Sequence, residues 1–301
     1  MNLLKKTRFL RILTPVLLGC LLSLSAQATT VRVQTSEGDF IINLFDFTDS
    51  GVEETVANFL AYVNSGRYDS TYFHRLSKGF VIQGGGYVYD GTFPTPQDTA
   101  ELMLTEVELV PGEDNPTVDN QPMYSNVRGT VAMAKIGNDP NSATNQWFVS
   151  LADNAPNLDL QNGGFTVFGI VTEGMDVVEA LADYTLLSTP AEPEEGVRYV
   201  YPSPLDELPL TGYTQENFVM DVIPDSTNLA FVMSVSVMDS NTETARDLDI
   251  IENELVVFGG NPQPRPPAPK FKDNGAVGWL GLLTLILLVG LRRLQTNYRA
   301  Q

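Results

Sequence analysis

The period of the apolar residues changes again and again after position 29, and this constrains the fold more than any other feature of the chain. Val31 to Thr35 alternates apolar and polar, Asp39 to Leu44 is largely apolar, and Ser36-Glu37-Gly38 lies between them. Successive side chains on a strand face opposite ways, so these stretches predict two short β-strands joined by a turn. Val56, Phe59, Leu60 and Val63 then fall at helical spacing, with Asp49 or Ser50 ahead of them and Gly66 after. They predict a helix around residues 52–65 with one face on a core. Strand-like runs return at 71–76 and 80–83, stop at Gly84-Gly85-Gly86, and recur at 129–134, 146–151 and 165–171. Met175, Val178, Leu181 and Ala182 predict a second short helix, and 218–222 and 229–238 two further strands. Many short strands, two helices and turn-rich connections predict a mainly β protein, a barrel or sandwich with helices over its openings.

The two ends differ from this body. Lys5, Lys6, Arg8 and Arg11 precede an apolar run from Ile12 to Leu24, and Ala26-Gln27-Ala28 follows it. That layout predicts a secretory signal peptide over residues 1–28 and a protein exported to the periplasmic or cell-surface side. Cys20, the only cysteine, lies inside the apolar run, so the cleaved chain is expected to hold no thiol and no disulfide. Residues 241–274 read as a linker, proline-rich and extended at 261–269. Gly275 to Leu291 is a second apolar segment, followed by a basic tail at 292–301 with Arg292, Arg293 and Arg299. It is expected to anchor the protein as a transmembrane helix or to serve as a sorting signal.

The chain has a net charge of −19, and none of its 37 acidic residues falls within 1–28 or 275–301. So acidic a body excludes nucleic-acid binding through phosphate contacts. His74 is the only histidine, which removes multi-histidine metal sites and leaves a Ser-His-Asp triad no route except through this residue. No metal-ligand cluster and no phosphate-binding glycine loop is present, so neither a metal nor a cofactor is expected. Arg75 is more informative. It stands just before Phe80, Val81 and Gln83, so that a guanidinium would project beside an apolar patch containing one amide. Such a site suits a reaction without a covalent step. Rotation about an X–Pro bond requires only that amide resonance be broken, and a donor near the proline nitrogen favours the single-bonded, pyramidal form.

Four blocks carry a resemblance to a known family. Phe73 to Gly86 (FHRLSKGFVIQGGG), Gly129 to Ala134 (GTVAMA), Ser142 to Val149 (SATNQWFV) and Phe165 to Gly169 (FTVFG), with EGMDVV following at 173–178, resemble the cyclophilins in sequence and in order. The resemblance implies a closed eight-stranded antiparallel barrel with two capping helices over residues 29–240, interrupted by inserted loops at 87–127 and 188–216. It implies a peptidyl-prolyl cis-trans isomerase acting as a monomer on proline-containing polypeptides, exported proteins among them. By position, Arg75, Phe80 and Gln83 would be catalytic. His74, Val81, Ala134, Lys135, Gln146, Phe148, Leu158 and Phe165 would complete the substrate site. Lys135, Asn157 and Phe165 depart from residues common in the family, and weak inhibition by cyclosporin is the corresponding expectation. A second reading comes from the long loops: a non-catalytic module that grips proline-containing segments at the cell envelope.

Overall fold

In the computed structural model, residues 29–96, 104–188, 192, 198–240, 248 and 250–253 are described. The chain opens with β1 (Thr30–Thr35) and β2 (Gly38–Leu44), whose residues alternate between buried and exposed over β1 as the sequence pattern requires. Helix α1 (Glu53–Asn64) buries Val56, Phe59, Tyr62 and Val63, and carries Glu53 and Glu54 in its first turn, where acidic groups oppose the helix dipole favourably. Then come β3 (Thr71–Tyr72), β4 (Arg75–Ser77), β5 (Val81–Gly84), β6 (Tyr87–Val88) and β7 (Thr105–Glu106). After them follow β8 (Thr130–Met133), β9 (Trp147–Ser150), the one-turn α2 (Ala155–Leu158), β10 (Val167–Glu173) and α3 (Met175–Ala182). The last elements are β11 (Thr185–Leu186), β12 (Pro209–Leu210), α4 (Gln215–Val219) and β13 (Phe231–Asp239).

The closed eight-stranded barrel expected above is corrected to an open half-barrel of eleven strands, ordered β4-β5-β9-β8-β10-β2-β1-β13-β3-β6-β7. Two local events account for the difference. The run 71–76, which reads as one strand, divides at Phe73 and His74, where the chain changes partners. The Phe73 N–H donates to Ala230 O at 2.9 Å, on the β13 side, and the His74 N–H to Gln83 O at 3.0 Å, on the β5 side. The first inserted loop then adds β6 and β7 outside β3. The C-terminal segment 275–291 lies outside the described residues, as do residues 1–28, expected as a signal peptide. Among the described residues no helix is long and apolar enough to cross a membrane, so the transmembrane part of the expected fold is not carried forward.

A second correction concerns residues 218–222, expected as a strand. Phe218 and Val219 instead form the last residues of α4, which Thr214 starts with a capping box: its hydroxyl accepts from the Asn217 N–H while the Asn217 side chain accepts from the Thr214 N–H. Asp221, at φ 57°, turns the chain immediately afterwards.

Side chains fill two clusters. The larger lies between the sheet and the helices, with Phe40, Phe59, Phe73, Trp147 and Phe168 essentially inaccessible to solvent. The smaller gathers Tyr72, Tyr87 and Phe93 with Tyr201, Leu205, Leu208, Leu210 and Tyr213 of the second inserted region and with Phe218 just after it. Residues 250–253, within the stretch read as linker, dock on the body. The Ser125 N–H donates to Ile251 O and the Asn253 N–H to Met123 O, each at 2.9 Å, and Asn253 is fully buried.

Candidate active site

The site follows from the register of four adjacent strands. One cross-strand row, Leu76, Ile82, Val149 and Val131, is wholly buried in the larger cluster. The neighbouring row, offset by one residue, is Arg75, Gln83, Phe148 and Ala132. Because side chains alternate faces, the ladder that sends the aliphatic row inward must present Arg75, Gln83 and Phe148 on the other face. Val81, two residues before Gln83, joins them.

These residues line a cavity of about 310 Å³ together with Phe80, Ala134, Lys135, Leu158, Gln161 and Phe165. Phe80 enters from the turn joining β4 to β5, closed by its N–H to Ser77 O at 2.9 Å and made possible by Gly79 at φ 69°. Asn154 fixes the same residue from the far side, donating to Phe80 O at 2.8 Å. Leu158 comes from α2, whose buried C-terminal neighbour Asp159 accepts from the Asn126 backbone at 2.8 Å and side chain at 2.9 Å. Phe148 and Phe165 meet edge to face, with centroids 5.8 Å apart.

Nine of the eleven residues singled out from the sequence therefore border one cavity. The remaining two stand behind it. Gln146 accepts from Gln83 Nε2 at 2.8 Å, which fixes the Gln83 amide. His74 is buried, its Nε2 lies 3.5 Å from Gln83 Nε2, and its ring meets Tyr87 edge to face. Burial pushes the His74 pKa down to about 4, against an upward pull from the Gln146 side chain and with a further push from the Arg75 charge. A neutral imidazole packed against an amide supports the site from below. The glycine run is part of the same support. A Cβ at Gly86 would come within 3.0 Å of Gln146 and His74, and one at Gly85, at φ 75°, within 2.8 Å of Trp147 and Asn145 O.

Lys135 differs from the other lining residues. Its ammonium donates to Asn162 O at 3.0 Å and to Gly164 O, and sits 4.6 Å over the Phe165 ring. Burial lowers its pKa to about 8, partly opposed by Asp139. Lys135 thus braces the turn that carries Phe165. Gln161 is the lining residue that sequence reasoning missed. It stands three residues beyond Leu158 in an irregular turn, and only the fold brings it to the cavity.

Comparisons with known proteins place the chain in a family. Residues 30–198 match the model of the cyclophilin type peptidyl-prolyl cis-trans isomerase family. A peptidyl-prolyl cis-trans isomerase of Streptomyces antibioticus, cyp18, is 43% identical over 157 residues, covering 51% of this chain and 82% of its own. Peptidyl-prolyl cis-trans isomerase B of Escherichia coli K12 is 36% identical over 155 residues, covering 50% of this chain and 82% of its own. A solved cyclophilin-type isomerase of Cryptosporidium parvum aligns with 71% of this chain and 99% of its own at 20% identity and a TM-score of 0.43. The chain belongs to the cyclophilin-type peptidyl-prolyl cis-trans isomerases, and its activity is the cis-trans isomerisation of X–Pro peptide bonds.

Proposed function

We propose that this isomerase acts as a monomer on exported polypeptides while they fold, with Arg75 stabilising the twisted amide. The uncatalysed rotation crosses a barrier of about 18–20 kcal/mol and takes tens of seconds. Bringing it to milliseconds requires about 10⁴-fold, or roughly 5.5 kcal/mol. One pre-placed donor aimed at developing charge supplies about 2.7–4 kcal/mol. Exclusion of water and a ring held still by Phe80, Val81, Phe148, Leu158 and Phe165 supply the remainder. The guanidinium donates to the proline nitrogen as its lone pair leaves conjugation, a hydrogen bond that the planar ground state cannot form. Gln83, steadied by Gln146, holds the substrate backbone beside it.

One observation carries the reading: Arg75 shares a single cavity with the apolar residues that suit a proline ring. Export is supported by the basic start, apolar run and Ala26-Gln27-Ala28 of the leader. A prolyl isomerisation assay on the purified full chain tests the chemistry. Arg75→Ala is expected to lower kcat/KM by about 10²- to 10³-fold with the far-UV circular dichroism unchanged. Wild-type turnover in a folded variant would remove Arg75 from the mechanism.

A further inference from the structure

The second inserted region reaches the active site through one residue. Leu205 to Leu208 form a turn, closed by the Leu208 N–H to Leu205 O at 3.1 Å, with both leucines buried in the smaller cluster. Glu207 stands at its tip, and two contacts join it to β4. Its carbonyl accepts from the Leu76 N–H at 2.7 Å, and its carboxylate Oε2 lies 2.6 Å from Arg75 Nε. Among the described residues Arg75 makes no other side-chain hydrogen bond or ion pair, so its terminal nitrogens stay available to the cavity that it lines.

We propose that Glu207 is a positioning residue for the isomerase reaction: it grips Arg75 by Nε and keeps the guanidinium turned to the substrate. This inference rests on the reading of Arg75 given above. Two effects of the carboxylate oppose each other. It restricts a long side chain that would otherwise sample many rotamers, which favours catalysis. It also draws charge away from the donor, which disfavours it. Both partners are about one third exposed, 35% for Arg75 and 37% for Glu207, so water screens the second effect. The first is not screened, because the turn holding Glu207 is itself fixed by buried leucines and by β12, which pairs with β11. Positioning therefore prevails.

The test is a kinetic cycle on the full chain, with folding checked by thermal unfolding. Glu207→Ala is expected to lower kcat roughly tenfold with KM changed less than twofold, since a wandering donor is lost mainly from the transition state. Glu207→Gln keeps an acceptor for Nε and is expected to recover most of kcat. Combined with Arg75→Ala, the Glu207→Ala change has nothing left to position and is expected to cost less than twofold. A folded Glu207→Ala protein with wild-type or higher kcat would overturn the proposal. So would an equal cost with and without Arg75, which is the mark of a structural role. If Arg75→Ala lowers turnover by about 10²- to 10³-fold while a folded Glu207→Ala protein keeps wild-type kcat, only this inference falls. If Arg75→Ala is fully active, the proposed mechanism falls first.

Discussion

Tyr72 and Phe73 are neighbours in the chain and belong to different cores. Phe73 packs edge to face on Trp147, 5.6 Å between centroids, inside the larger cluster. Tyr72 lies 5.8 Å from Phe93 and 6.4 Å from Tyr87, inside the smaller one. The larger cluster is made by strand alternation and the faces of α1 and α3, and lies under the region matched by the family model. The smaller draws on both inserted regions, and two of its tyrosines donate their hydroxyls to backbone carbonyls, Tyr201 to Pro94 O and Tyr213 to Val222 O. Arg75 stands three residues beyond this junction, paired across the ladder with Gln83 and across the gap with Glu207. One core thus builds the wall that bears Arg75, and the other brings a carboxylate to it.

The comparison breaks most clearly on the larger cluster. Phe168, fully buried and 5.0 Å from Phe59, is expected to cost about 3–5 kcal/mol of global stability as Phe168→Ala, read from urea unfolding. His74 tests the seam between the cores through pH. Its folded pKa of about 4 lies below the usual 6.5, so between these values the unfolded chain binds a proton that the folded one refuses. The contribution is complete above pH 6.5 and is lost as pH falls toward 4, about 3 kcal/mol in all. Unfolding measured at pH 7 and pH 4.5, for wild type and His74→Gln, isolates it; equal slopes in the two proteins would contradict the assignment.

Gly85→Ala is expected to cost about 1–3 kcal/mol, because it forces a Cβ against Trp147 and Asn145 O at a positive φ. The smallest global effect is expected from Phe218→Ala in the smaller cluster. A separately cooperative insert would open locally, so the global transition is expected to move by less than about 1 kcal/mol. Amide exchange at Leu208 and Leu210 is expected to quicken in the same variant. A global loss as large as that of Phe168→Ala would instead make the two cores one unit.

Much of the larger cluster was legible because its signal is local. Val31 and Val33 alternate with exposed residues, and Val56, Phe59 and Val63 recur at helical spacing. The nine cavity residues read from the sequence are concentrated in the blocks around 75–83, 134–148 and 158–165, where register brings Arg75, Val81, Gln83 and Phe148 to one face and turns or α2 supply Phe80, Leu158 and Phe165. Residues 218–222 differ from the expected strand because their largely apolar run looks extended until the capping side chains of Thr214 and Asn217 are paired. Gln161 and Glu207 carried no signal: neither has a periodic neighbour that ties it to the site.

By itself the sequence determined which residues alternate, where the helical faces lie, and that one arginine stands among apolar and amide groups. Those facts depend on spacing within a few residues. Only the tertiary structure decided that the 71–76 run would change partners at Phe73 and His74 and that the sheet would stay an open half-barrel of eleven strands. It also decided that Glu207, 132 positions along the chain, would meet Arg75. These depend on which strand edges and buried leucines find each other, and pairings between distant segments leave no period in the chain to be read.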